Sequence, residues 1–225
     1  MARKKTREAT PDSFYGLELT EEQEAMRQAI MNHPKNLITI VPSRSGSGKT
    51  TVALGCAKLL VETKGFDCLR YVFATPYENK LGFMPGDVAC KEYKQVVPLF
   101  GAMITLNMNP EREIEQIASI ENLKNGSAWV KAHSVNFVRG ETYKNSVVWV
   151  EESQNLTPLE MRLILSRIDD SCAVILTGDL NQCDIGLNRS GFQKCIDTFK
   201  DKDFATICTL TKNFRGLVSS TAEEI

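Results

Sequence analysis

The chain reads as an α/β protein, a mostly parallel β-sheet sandwiched by helices, and three observations predict this. Short apolar runs at Leu37–Val41, Cys68–Ala74, Val147–Val150 and Cys172–Leu176 alternate with helical patterns, the order that yields parallel strands joined by crossover helices. The first run passes through Ser43–Thr51, SRSGSGKTT, into the helical pattern Val52–Leu60, the strand, loop, helix setting of a phosphate-binding loop. The third run stops abruptly at Glu151-Glu152, which puts carboxylates at the edge of the sheet where ligands of such folds gather.

Residues 1–16 look like a flexible basic tail, with Arg3, Lys4, Lys5 and Arg7, and residues 17–225 like the folded domain. Thr20 and Gln23 form a capping box for a helix running to about Met31. Gln23 has two readings: the cap, or an amide that reads an adenine edge just upstream of the phosphate loop. In that loop Gly46 and Gly48 let the backbone curl, so that the N–H groups of Ser45, Gly46, Ser47, Gly48, Lys49, Thr50 and Thr51 can converge on an anion. Lys49 would lie along the β and γ phosphates, and the Thr50 hydroxyl would enter a Mg2+ shell with the Glu151 carboxylate. Glu152 would polarise the attacking water. Ser43 stands where the phosphate-loop pattern has its first glycine, which is acceptable if its φ is negative and strained otherwise.

Gly65 stops the helix after the loop, and the strand ending at Ala74 makes Thr75, Pro76 and Glu78 candidates for neighbours of the site. Leu81–Asp87, LGFMPGD, has two glycines and a proline fixing its path and two apolar side chains that must pack. A helix follows to about Phe100. Another is expected from Pro110 to Leu123, with Asn109 as N-cap, proline at the first position and Ile114, Ile117, Ala118 and Leu123 on one face. Ser127–Val138 is strand-like. Thr157 and Glu160 make a second capping box for a helix burying Met161, Leu163, Ile164, Leu165 and Ile168. Beyond the strand Cys172–Leu176, Gln182 has the reach to position water, while Asp179 reads as a turn cap. A helix, Gly191–Phe199, and a strand, Ala205–Leu210, lead to Asn213-Phe214-Arg215, where Arg215 is either an arginine finger on the transferring phosphoryl group or a solvated side chain.

With 225 residues, 42% hydrophobic and 24% charged, the chain can bury one large core and cannot hold two full nucleotide-binding lobes. No apolar run reaches membrane-spanning length and the start lacks a signal-peptide core, so no membrane partner and a cytoplasmic compartment are expected. Seven cysteines without a C-x-x-C pair fit buried thiols better than zinc or disulfides. A net charge of −1 argues against tight nonspecific nucleic-acid binding, which is mainly cationic.

Together the phosphate loop, LGFMPGD, Arg139–Thr142, EESQN at Glu151–Asn155 and TGDLNQ at Thr177–Gln182 resemble the PhoH-like ATPases, relatives of the motor lobe of superfamily-one helicases. The resemblance spans about residues 17 to 220. It implies a single RecA-like P-loop NTPase domain, ATP hydrolysis dependent on Mg2+, and a homo-oligomer such as a hexameric ring in which a neighbour completes each site, with Arg215 acting in cis or in trans. A second reading of the same residues is an ATP-driven translocase with RNA or single-stranded DNA as its partner. The family typically has glycine at Ser43, arginine at Thr75 and aspartate at Glu151. The alternative is a nucleotide-gated assembly or scaffold protein that binds ATP and barely turns it over.

Overall fold

Six parallel strands carry the chain's polar motifs at one end. The computed structural model describes residues 14–74, 88–135, 138 and 140–222. In chain order these form α1 (Glu21–Met31), β1 (Ile38–Pro42), α2 (Lys49–Lys64), β2 (Leu69–Phe73), α3 (Val88–Thr105), α4 (Pro110–Glu113), α5 (Ile120–Lys124) and β3 (Val130–Ser134). Then come β4 (Val147–Glu151), α6 (Pro158–Leu165), β5 (Ala173–Gly178), α7 (Gly191–Phe199), β6 (Ala205–Ile207) and α8 (Leu217–Ala222). The strand order is β3-β2-β4-β5-β1-β6, with every pairing parallel.

Because side chains alternate along a strand, a sheet buried on both faces needs apolar residues at every position, and β4 shows it. Val147 and Trp149 join the core layer that α1, α2 and α3 cover, whereas Val148 and Val150 join the layer under α6 and α7. Trp149 is fully buried against Tyr71, ring centroids 5.1 Å apart and edge-on. Its indole N–H is satisfied by Thr177 Oγ1 at 2.8 Å, as a buried tryptophan requires.

Four expectations change. The single helix from Pro110 to Leu123 is two short helices, because Ile114 turns extended (φ −97°, ψ 121°) and forms a parallel bridge with Val130 at the edge of the sheet. Gln116 then pairs with Ala132, accepting from its N–H at 3.3 Å and donating to its carbonyl at 2.5 Å, and Ser119 caps a fresh helix. This covering of β3 mimics a further strand. The strands expected at Ser127–Val138 and Ala205–Leu210 are shorter, although Leu210 is buried.

The expected tail also ends earlier. Phe14 and Tyr15 are buried, with Phe14 seated on Gly55 of α2 and the Tyr15 hydroxyl 3.4 Å from the Gly55 carbonyl, to which it donates. The LGFMPGD loop, Thr75, Pro76, Glu78 and Arg139 lie outside the described residues. Truncating a buried phenylalanine costs about 3–5 kcal/mol, so Phe14→Ala should lower the unfolding free energy by about that amount in a denaturant titration. An unchanged midpoint would mean that folding begins after residue 16.

Candidate functional site

The loop between β1 and α2 has the shape of an anion cradle. Gly46 and Gly48 sit at φ +78° and +80°, and Gly48 is the N-cap of α2 without any side-chain cap. Helix geometry leaves the first-turn N–H groups of α2 without intrahelical partners, and the helix dipole favours a negative charge there. Both glycines are also needed for space. A Cβ on Gly48 would stand 2.6 Å from Gln23 Nε2, and one on Gly46 would stand 2.8 Å from Asn213 Oδ1 and 3.0 Å from the Arg215 side chain.

Distant elements hold the loop by its backbone. Gln23 Nε2 donates to the Ser47 carbonyl at 3.0 Å, and the Asp179 carboxylate accepts from the Ser45 N–H at 2.7 Å. The Phe214 N–H donates to the Gly46 carbonyl at 2.9 Å. Ser43 is not among the residues of positive φ, and its hydroxyl accepts from the Leu210 N–H at 2.7 Å. The serine therefore sits without strain and ties the loop to the segment after β6. A cleft of about 500 Å³ borders the loop there, between Arg44, Asp179, Asn181 and Thr209–Thr211.

The two acids at the end of β4, Glu151 its last residue and Glu152 the next, occupy different environments. Glu151 is buried, accepting from Thr50 Oγ1 at 2.9 Å and from Thr177 Oγ1 at 2.5 Å. Burial pushes its carboxyl above the usual range, the Thr177 hydroxyl opposes that, and Glu152 adds to it while Lys49 and Thr50 lower it. Two oxygen donors, a hydroxyl and a carboxylate, fit Mg2+, which takes few protein ligands and keeps water and phosphate oxygens for the rest. Among the described residues no group of three or more His, Cys, Asp or Glu could hold a metal ion. Glu152 is exposed and adopts a left-handed backbone, φ 52°, ψ 38°, a conformation that a residue with a side chain adopts at a cost.

Gln23 serves its cap, its Oε1 accepting from the Thr20 N–H at 3.1 Å, while its other end reaches the loop. An amide has two donors and two lone pairs, so these bonds use one of each on a side chain that is buried. Arg215 lies against Gly46 of its own chain. Gln182 is exposed in the turn after β5, next to β1 in the sheet. Glu141 of the Arg139–Thr142 stretch instead pairs with Arg70 near the start of β2, at 2.6 Å. Sequence reasoning undervalued Asp179, which caps Asn181 as expected but also grips Ser45, and it gave Gln154 no part.

A family profile described as "PhoH-like protein" matches residues 17–219. The chain belongs to the PhoH-like family. A PhoH-like protein of Synechocystis sp. is 30% identical over 83% of this chain and 55% of its own length, and Protein PhoH of Escherichia coli is 27% identical over 75% and 46%. The chain thus spans about half the length of the curated relatives it matches. Among solved structures, the large terminase of a thermophilic bacteriophage superposes with a TM-score of 0.54 at 9% identity, covering 92% of this chain and 50% of the terminase. The HK97 bacteriophage large terminase gives 0.53 at 12%, covering 92% and 42%. The fold is that of a RecA-like ATPase domain, and among the described residues no helix of this PhoH-like chain is long and apolar enough to cross a membrane.

A buried carboxylate without a fully compensating partner costs stability, and a bound cation would offset that cost. Glu151→Gln removes that charge, and Thr177 can turn its hydroxyl to the Val150 carbonyl 3.3 Å away. In metal-free buffer at pH 8 the variant should melt no lower than the parent, and addition of Mg-ATP should raise its melting temperature less. A variant that melts lower yet gains as much from Mg-ATP would contradict this use of Glu151.

Proposed function

We propose that this chain binds Mg-ATP on the Ser45–Thr51 loop and hydrolyses it. The observation that supports the reading is the Thr50–Glu151 hydrogen bond, 2.9 Å between residues 101 apart in the chain, which sets the loop hydroxyl beside the acidic strand end, as a shared metal ion would need. The triphosphate would lie on the amides of Gly46, Ser47 and Gly48 and of the first turn of α2, Lys49, Thr50 and Thr51, with Ser45 at the edge of the cradle, its N–H held by Asp179. Lys49 is buried at the mouth of that turn and would neutralise the β and γ oxygens. Thr50 and Glu151 would hold Mg2+, which supplies charge neutralisation across the β and γ phosphates.

Glu152 stands one residue beyond that pair and reaches solvent, the place for a group that takes a proton from water. Its carboxylate accepts the proton as the water oxygen attacks the γ phosphorus, and the bond to the β–γ bridging oxygen breaks with its electrons leaving on ADP. Arg215, in cis against Gly46, would stabilise charge on the transferring phosphoryl group, and Gln182 would orient the water. The remaining donor and acceptor of Gln23 would meet the adenine edge.

Two extensions go beyond the site: assembly into a homo-oligomer, which rests on the family resemblance and has a hexameric ring as its expected form, and coupling of turnover to RNA or single-stranded DNA, a wider reading of the same residues. Steady-state turnover with and without single strands, beside the mass in the same buffer, tests both and separates them from a scaffold that binds ATP with little turnover.

A general base contributes about 10²–10⁴-fold. Glu152→Gln should therefore keep the nucleotide dissociation constant within about threefold and lose at least about 100-fold in turnover, measured by phosphate release. Lys49→Ala should abolish nucleotide binding in a fluorescent-nucleotide titration. Equal hydrolysis by Glu152→Gln and the parent overturns this assignment of roles.

A further inference from the structure

Gln154, in the single 3-10 turn after β4, is completely buried, and its amide is shared among three motifs. Its Nε2 donates to Glu152 Oε2 at 2.6 Å and to the Gln182 carbonyl at 3.3 Å, and its Oε1 accepts from the Asp179 N–H at 3.1 Å. Chemistry sets the orientation of the amide. An ionised carboxylate only accepts and an N–H only donates, so turning the amide over would oppose like partners at both ends. Asp179 carries the connection onward, since its carboxylate takes the Ser45 N–H of the phosphate loop at 2.7 Å. Two further bonds zip the turns together: the Cys183 thiol donates to the Gln154 carbonyl at 3.2 Å, and the Asp184 N–H donates to Asn155 Oδ1 at 2.9 Å. The space is closed as well, because a Cβ on Gly178 would stand 2.8 Å from Gln154 Oε1.

Glu152 needs such a holder. It is exposed, on a left-handed backbone, and a carboxylate at the end of two free torsions does not stay aimed at one water. We propose that Gln154 is a positioning residue that fixes the direction of the Glu152 carboxylate. Through Asp179 and Gln182 it also keeps that carboxylate in step with the phosphate loop and the turn beside it. The proposal rests on the reading of Glu152 as the group that activates water.

Gln154→Glu keeps the volume and the oxygen facing the Asp179 N–H but deletes the donor to Glu152, and Gln154→Met fills the same space with neither. Turnover of each should fall at least about tenfold, a share of the 10²–10⁴ that a base supplies, while affinity for a fluorescent non-hydrolysable ATP analogue stays within about threefold. Gln154→Met carries the same expectation where the glutamate variant melts early. In the Glu152→Gln background, Gln154→Met should cost less than about twofold more under single-turnover conditions, because a group acting through another has nothing left to position. Turnover of both single variants within about twofold of the parent, a parallel loss of affinity, or the same fold-loss from Gln154→Met in both backgrounds would overturn the positioning role. If Glu152→Gln itself turns over like the parent, it is the hydrolytic reading that fails. If Glu152→Gln is dead and Gln154→Glu and Gln154→Met are fully active, only the role of Gln154 falls.

Discussion

The constraint on which the structure depends is the shape of one loop, whose inward amides can serve an anion only while its outward groups are held elsewhere. A backbone curled through two residues of positive φ has little stability of its own. Here Gln23 from α1, Asp179 after β5 and Phe214 after β6 each take one backbone group of the loop, and Ser43 anchors its start to Leu210. Each bond is worth about 1 kcal/mol net, too little singly to set a conformation and enough together to hold one. The elements that supply them are brought to the loop by the sheet order, with β1 between β5 and β6. Fold and site are in this sense one fact, since moving a strand would release the loop.

The proposed chemistry draws on groups that the fold would be more stable without. Glu151 is a carboxyl group in a dry place, steadied by two threonine hydroxyls and by the charge of Lys49. Glu152 keeps a backbone conformation that costs of order 1–3 kcal/mol for a residue with a side chain. Glu151 ends β4 and Glu152 follows it, and the residues just before them, Val147 to Val150, are apolar and fully buried. A rigid strand is what can hold an unfavourable charge and a strained residue in adjacent positions, one turned inward and one outward.

Much of this was legible in the sequence because it is written locally. Apolar runs between helical patterns mark strands regardless of their partners, and SGSGKTT after one of them marks a phosphate loop. What depends on neighbours far along the chain was not legible. Ile114 sits in a helical pattern and is drawn into extended form by Val130, which no window around Pro110–Leu123 contains. Phe14 and Tyr15 look like the end of a polar tail until α2 offers Gly55 as a seat. Whether Ser43 is strained depends on its φ, which its identity does not reveal. Gln154 looks like one polar residue in a polar turn, and its part emerges only when β4 and β5 stand side by side and bring Glu152, Asp179 and Gln182 within reach.

The most direct measurement is a crystal structure of the protein with Mg2+ and a non-hydrolysable ATP analogue. It should show the β and γ phosphates on the amides of Gly46 to Thr51, the metal contacting Thr50 directly and Glu151 directly or through water, and an ordered water between Glu152 and the γ phosphorus. Nucleotide bound elsewhere, or phosphates on the loop with Glu152 turned away from them, would contradict the account.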